Sequence, residues 1–258
     1  MSFPYKHILL IGATSGIGLA MADRFVETGV KVTAVGRRQD RLDAFVQKHG
    51  SAAADAVAFD ISKVDEIPQF VADVTTKSPD IDCVFLNAGV QRMTDLTSQD
   101  KWDEKTFDEV MHVNFTCIVA LTRAFLPFLQ AQKGPTSFIF TGSNLAIIPA
   151  AVAPAYSASK AALNAFVLCL REQLRESKPK IIELSPPAVQ TELHDYLGVE
   201  VGRNLGMPLD QFVTEAFQGL QSGLDQVIVG TIGPAEPFHD IVNKRRTLFE
   251  NLAKMMRH

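Results

Sequence analysis

The chain has 258 residues, 47% hydrophobic and 21% charged, with a net charge of -4 at pH 7. That is ample for one sizeable core, and no proline- or serine-rich linker, low-complexity tract or repeat divides it, so a single domain over 1–258 is expected. The acidic balance gives no electrostatic basis for nucleic acid as a partner.

Short β-rich runs alternate with longer helical segments along the chain. A strand is expected at 7–11, a helix at 16–28, a strand at 31–36 and a helix at 38–48. A strand near 56–59, a helix near 64–77 and a strand at 82–86 follow. One long helix covers about 103–131, then a strand near 137–141, a helix near 155–177 and a strand near 180–185. A helix near 209–223, a short strand at 226–229 and a terminal helix near 238–256 complete the order. This alternation predicts an α/β fold, a doubly wound parallel sheet of about seven strands with helices on both faces. Ile8 to Ile11 and Cys83 to Leu86 are continuous apolar runs, as strands buried on both faces require. Ligands in such sheets bind beyond the carboxyl ends of the strands.

Cys83, Cys117 and Cys169 lie in apolar surroundings and read as small buried thiols, not a disulfide frame. The N-terminus lacks the length and flanks of a signal peptide, and no apolar run reaches the ~18 residues of a membrane span. A cytoplasmic location is expected, and no metal site.

Gly12, Gly16 and Gly18 fall in the first strand-to-helix turn. Glycine there permits a tight turn and close approach to a pyrophosphate, and the helix N-terminus adds unpaired N–H groups and partial positive charge. Tyr156 and Lys160 lie four residues apart in a predicted helix, so they share one face ~6 Å apart along its axis. A cation at roughly 5 Å favours a phenolate by ~3 kcal/mol, or ~2 pK units, at an effective dielectric near 20. With the charge of an oxidised nicotinamide added, Tyr156 is expected to move towards neutral pH.

The glycines are spaced G-x-x-x-G-x-G. Together with Asp60, Asn87-Ala88-Gly89, Asn114, Ser143, Tyr156 and Lys160, they give a chain that resembles the short-chain dehydrogenase/reductase family in its form of about 250 residues. The resemblance implies a Rossmann-type fold and an oxidoreductase. Gly12, Thr14, Ser15, Gly16, Ile17 and Gly18 would cradle the cofactor phosphates. Asp60 and Ile61 would hold the adenine, Asn87, Ala88 and Gly89 the adenosine side, and Pro186, Val189 and Thr191 the nicotinamide carboxamide. Tyr156 would be the general acid/base, Lys160 would bind the nicotinamide ribose, Ser143 would donate to the substrate oxygen, and Asn114 would position a water that relays protons to Lys160.

NAD-selective members of that family usually carry an acidic residue near position 36. Here Gly36 is followed by Arg37 and Arg38. A guanidinium pairs with a 2′-phosphate that a carboxylate would repel, and Ser15 can add a hydroxyl, so NADP(H) is expected over NAD(H). Three positions depart from the family pattern: Ile11, Leu86 and Pro187, the last removing an N–H beside the carboxamide site.

The segment about 191–208 reads as a long mobile lid with Leu193, Tyr196 and Leu197 on an apolar face and His194 facing solvent. Leu145, Ile147, Ile148, Ala150, Ala151 and Val152 suggest further apolar lining, with Gln91 and Met93 on another side. The helices at 103–131 and 155–177 are apolar on two faces, which implies a homodimer or homotetramer. In the tail, Phe238, Ile241, Val242, Leu248, Phe249, Leu252 and Met256 are expected to dock on protein, with Lys244, Arg246 and Lys254 on the opposite face. The leading function is NADP(H)-dependent interconversion of a small hydrophobic carbonyl and its alcohol. A non-catalytic dinucleotide sensor that binds a partner protein is the alternative, and epimerisation or C=C reduction on the same fold is a third.

Overall fold

A computed structural model describes residues 3–257. Seven strands form one all-parallel sheet: β1 (His7–Ile11), β2 (Lys31–Gly36), β3 (Ala54–Ala58), β4 (Cys83–Leu86), β5 (Ser137–Thr141), β6 (Lys180–Ser185) and β7 (Gln226–Ile228). Their order is β3-β2-β1-β4-β5-β6-β7. The chain therefore winds outward from β1 to β3, then crosses back beside β1 and winds the other way. Ile11 pairs with both Val35 and Leu86, Leu86 with Phe140, and Thr141 with Leu184. The carboxyl ends of the central strands thus form one rim, and the residues after them share one crevice.

Both faces of the sheet are apolar, so the strands show no polar alternation. Ile8 and Leu10 pack with Met21 and Phe25 of α1 (Gly16–Glu27), Phe45 of α2 (Gln39–His49) and Phe212 and Phe217 of α8 (Leu209–Gln221). Leu9 and Ile11 face the other way, towards Phe70 of α3 (Ile67–Lys77), Phe125 of α5 (Cys117–Ala131) and Val167 of α6 (Pro154–Gln173).

The long helix expected at 103–131 is α4 (Glu104–Met111) running into α5 through a π-helical turn, His112–Thr116. This 28-residue stretch holds an 18-residue window of mean hydropathy 1.4, long and apolar enough to cross a membrane by length and composition alone, although no uninterrupted apolar run in it reaches 18 residues. Here Ile118, Leu121, Phe125 and Leu129 are spent on the core beneath the sheet. Cys83 and Cys117 are buried, but Cys169 is exposed on the outer face of α6.

The terminal helix α9 (Ala235–Met255) docks differently from the expectation. Only Phe238 and Val242 of its apolar residues are buried, while Ile241, Leu248, Leu252 and Met256 face outward. Arg246, expected on the free face, turns inward to a bidentate pair with Asp225 at 2.7 and 2.8 Å. Its neighbour Arg245 donates to the side-chain oxygen of Asn164 in α6. Asn164 in turn donates to both oxygens of the fully buried Glu183, at 3.0 and 2.8 Å. Charge pairing therefore holds this helix as much as apolar burial does, because a buried carboxylate needs partners.

Candidate active site

The residues after β1, β4, β5 and β6 line one cleft of about 780 Å³. At its centre lies the glycine turn. Gly12 has φ +91°, and a Cβ there would fall 2.6 Å from Ala88 Cα, so only glycine allows the two loops to meet. Ser15, at the N-cap of α1, is extended and its side chain caps nothing, and no acidic residue stands in the first turn. The helix N-terminus thus presents unpaired N–H groups with no acidic side chain in its own first turn, which suits a phosphate. Gly12, Thr14, Ser15, Gly16 and Ile17 line the cleft; Gly18 does not. A Cβ on Gly18 would strike the Gly12 carbonyl, so its part is to seat α1 against the turn.

Asn87 fastens the β4 end to this turn. Its amide donates to the Gly12 carbonyl at 3.0 Å and accepts from Thr141 Oγ1 at 2.9 Å. Asp60 and Ile61 line the far end of the cleft beside Phe59 and Ser62, and Ala88 and Gly89 line its middle. Asp60 is held by Ser62, whose N–H and hydroxyl donate to one of its oxygens at 3.0 and 2.9 Å. His112 Nε2, in the π turn, reaches the Ser62 carbonyl at 3.0 Å.

Arg37 is largely exposed, with its nearest carboxylate, Asp60, 3.9 Å away. Arg38 crosses the opening of the glycine turn. Its Nε and one Nη donate to Thr14 Oγ1 at 3.1 and 3.0 Å, and the same Nη reaches Ser15 Oγ at 2.5 Å. Gly36, where a carboxylate would mark NAD selection, has no room for one: a Cβ would lie 2.5 Å from the Thr14 methyl. The glycine turn and the Arg38 guanidinium thus meet at one end of the α1 helix.

Ser143, Tyr156 and Lys160 converge at the inner end of the cleft, each less than 7% exposed. Pro154 at the start of α6 and Ala155 fix the helix entry, so Tyr156 and Lys160 project from successive turns. The Lys160 ammonium donates to the Thr141 carbonyl at 2.8 Å and lies 5.7 Å from the centre of the Tyr156 ring. Burial pushes the Tyr156 phenol up to about 12, although the Ser143 hydroxyl beside it favours the phenolate; Tyr196 acts with burial. Without the charge of an oxidised nicotinamide, on which the expected shift towards neutrality also rests, dehydration governs this phenol. Burial also brings the Lys160 ammonium down to about 8, opposed by the Glu183 carboxylate.

Asn114 lies behind the cleft wall, not on it. It occupies the π turn, a local widening that often marks functional sites. Its oxygen accepts from Val90 N at 2.8 Å, and its amide N–H groups donate to the Val90 carbonyl at 2.9 Å and Ser159 Oγ at 3.1 Å. Both N–H groups are committed, so the side chain clamps the turn after Gly89 against α6.

After β6, Pro186, Val189 and Thr191 line the cleft. The segment that follows is helical, not irregular: a 3-10 turn Glu192–Leu197, then α7 (Val199–Arg203). Its two stems are joined where Met207 N donates to the Ala188 carbonyl at 2.8 Å and Gln190 N to that of Met207 at 3.0 Å. Leu193, Tyr196 and Leu197 line the cleft. His194, expected to face solvent, is buried, and burial lowers its basicity. Leu145, Ala150, Val152, Gln91 and Met93 contribute to the substrate end, whereas Ile147, Ile148 and Ala151 do not.

The sequence reading missed Arg41 and Glu192. Glu192 accepts from Arg38 and Arg41, each at 2.7 Å. Although burial opposes it, the two guanidinium groups hold its carboxyl at about 2. Arg38 and Glu192 are 154 positions apart, so no local pattern could have paired them.

The sequence model for short chain dehydrogenases matches residues 6–200. An uncharacterized oxidoreductase, DltE, of Bacillus subtilis is 32% identical over 232 residues, covering 88% of this chain and 89% of its own. A serine 3-dehydrogenase of Agrobacterium fabrum is 34% identical over 185 residues, 72% of each chain. Among solved structures, a short-chain dehydrogenase of Sphingobium yanoikuyae in complex with NADPH superposes with TM-score 0.81 at 22% identity, over 95% of both chains. One from Burkholderia phymatum in complex with NAD superposes with TM-score 0.77 at 18% identity, over 100% of this chain and 97% of its own. The chain belongs to the short-chain dehydrogenase family and is an oxidoreductase of that family.

Proposed function

We propose that the protein interconverts a hydrophobic ketone or aldehyde and its alcohol, using NADP(H). The observation that carries this is the meeting of Ser143, Tyr156 and Lys160 at the buried end of a cleft whose other end is an uncapped, glycine-lined helix N-terminus. When bound, a reduced nicotinamide would supply the hydride, and its oxidised form a positive charge beside the phenol. In reduction, Tyr156 gives its proton to the carbonyl oxygen as carbon gains the hydride. Ser143 donates to the same oxygen and favours the phenolate that results. The Lys160 cation opposes the charge left on Tyr156, and Asn114 holds the Gly89 turn that walls the site. Oxidation of the alcohol runs these transfers in reverse. A serine 3-dehydrogenase among the relatives is in keeping with alcohol–carbonyl chemistry.

The preference for NADP(H) rests on Arg37, Arg38 and Ser15, and on the lack of room for a carboxylate at Gly36. Relatives of this fold in complex with NAD and with NADPH are both known, so it is these side chains that decide. Apolar Leu145, Val152, Leu193 and Leu197 favour a hydrophobic substrate. The exposed positions of the π turn, α5 and α6 include Thr116, Pro127, Ala158, Ala165 and Cys169 beside the longer Arg123 and Gln130, and the small groups on α6 allow a second copy to approach closely, which supports a homodimer or homotetramer.

A panel of carbonyls and alcohols, followed at the reduced-nicotinamide absorbance with both cofactors, tests the reading. Turnover with a lower KM for NADPH is expected. Equal or better use of NADH refutes the cofactor assignment. Tight NADPH binding without turnover on any substrate favours the sensor.

A further inference from the structure

Glu192 has no part in the chemistry above, yet it is the anion nearest the guanidinium expected to read the cofactor. Arg38 has two donor edges. The Nε edge is closed by Thr14 Oγ1. The end formed by the two Nη atoms is shared between Ser15 Oγ at 2.5 Å and Glu192 Oε2 at 2.7 Å. That end lies at the N-cap of α1, and Arg38 and Glu192 line the same cleft as the glycine turn, Asp60 and Ile61. A phosphate taken in there meets a carboxylate already in place. The carboxylate has somewhere to go: its second oxygen is bound by Arg41 at 2.7 Å, and Arg203 stands 3.8 Å away.

We propose that Glu192 is a built-in stand-in for the 2′-phosphate, a selectivity residue that masks Arg38 and must surrender it when NADP(H) binds. The inference rests on the reading that this cleft takes the dinucleotide with its adenosine at the Arg38 end. With an NAD-type ribose, Arg38 stays on Glu192 and nothing is exchanged. With a 2′-phosphate, Arg38 moves from a carboxylate to a more highly charged partner while Glu192 stays on Arg41. Glu192 therefore holds down affinity for the phosphorylated cofactor alone. Since it opens the 3-10 turn of the lid, the exchange also loosens the lid's first contact with the body of the domain.

The test is calorimetric titration with adenosine 2′,5′-bisphosphate and with 5′-AMP, neither of which reacts, on the wild type, Glu192→Gln, Arg38→Ala and the double variant. Glu192→Gln is expected to bind the bisphosphate about tenfold more tightly, the weight of one charge-assisted hydrogen bond no longer exchanged, with 5′-AMP unchanged. In the Arg38→Ala background the gain should vanish, because its route is gone. An unchanged or weakened bisphosphate affinity in Glu192→Gln overturns the inference, as does equal tightening of both ligands or a gain that persists without Arg38. The wild type's own ratio tests the NADP(H) reading separately. If the wild type shows no preference but Glu192→Gln creates one, the mask is real and the cofactor assignment is wrong.

Discussion

Lys160→Met should make the protein inactive and more stable. Lys160 is 3% exposed, and burial brings its ammonium from 10.5 down to about 8, with Glu183 opposing. That difference corresponds to about 3 kcal/mol held against the folded state while both native and unfolded chains are protonated. The sign follows from proton counting. Below pH 8 the native protein carries the buried charge and the full cost. Between about 8 and 10.5 the unfolded chain binds the extra proton, so wild-type stability rises with pH. Above 10.5 both states are neutral and the cost is gone. Methionine fills a similar volume without charge but leaves the Thr141 carbonyl without its 2.8 Å donor, a loss of about 1 kcal/mol. The net gain is about 2 kcal/mol at pH 7, or roughly 4–8 °C in Tm for a domain of this size. Thermal unfolding of the protein without cofactor, at pH 7 and at pH 10, measures it. A variant no more stable than wild type at pH 7, or a difference that does not shrink at pH 10, refutes the argument that Lys160 is a buried cation retained for catalysis.

Tyr156→Phe should lower kcat by roughly 10²–10⁴-fold while NADPH affinity is retained, since only the proton donor is lost; kinetics beside fluorescence titration checks this. Gly36→Asp should fail to confer NAD use, because its Cβ meets the Thr14 methyl 2.5 Å away. Adding Thr14→Gly should restore NADH binding, and success of Gly36→Asp alone would contradict the packing. Gly12→Ala should destabilise by about 1–3 kcal/mol through its left-handed backbone and the Ala88 contact, read by chemical denaturation. Glu183→Gln should move the Lys160 titration further below its wild-type value, because Glu183 favours the ammonium; the pH dependence of stability reports it.

The sheet was legible because the central strands β1 and β4 are continuous apolar runs, and all seven strands lie within two residues of the reading. The joint spacing of glycines, Ser143, Tyr156 and Lys160 was enough to place one cleft. What the reading lacked was long-range. The π turn at His112–Thr116 interrupts no apolar periodicity, so the segment read as one straight helix. The helical turns of the lid went unassigned because Gly198, Gly202 and Gly206 suggest breaks. In the fold Gly202 lets α7 lie against the His194 carbonyl, and that contact helps bury the imidazole. Arg246 fell on the polar side of α9 by pattern alone; its inward turn is set by Asp225, which no helical wheel contains. The proximity of Tyr156 to Lys160 can be read from spacing, but the depth of burial that raises the phenol cannot.

Three residues on successive turns of α6 answer to different masters. Tyr156 and Lys160 belong to the cleft, while Asn164, one turn on, is gripped by Glu183 from the sheet and by Arg245 from the far end of the chain. The C-terminus is therefore wired into the reaction centre it never touches. Trimming the chain ahead of Arg245 would remove the guanidinium that steadies Asn164, the partner of the buried Glu183 carboxylate one strand away from Thr141, whose carbonyl anchors the ammonium. Activity should fade with such trimming well before the sheet itself gives way, so the last helix behaves as a keystone for the chemistry.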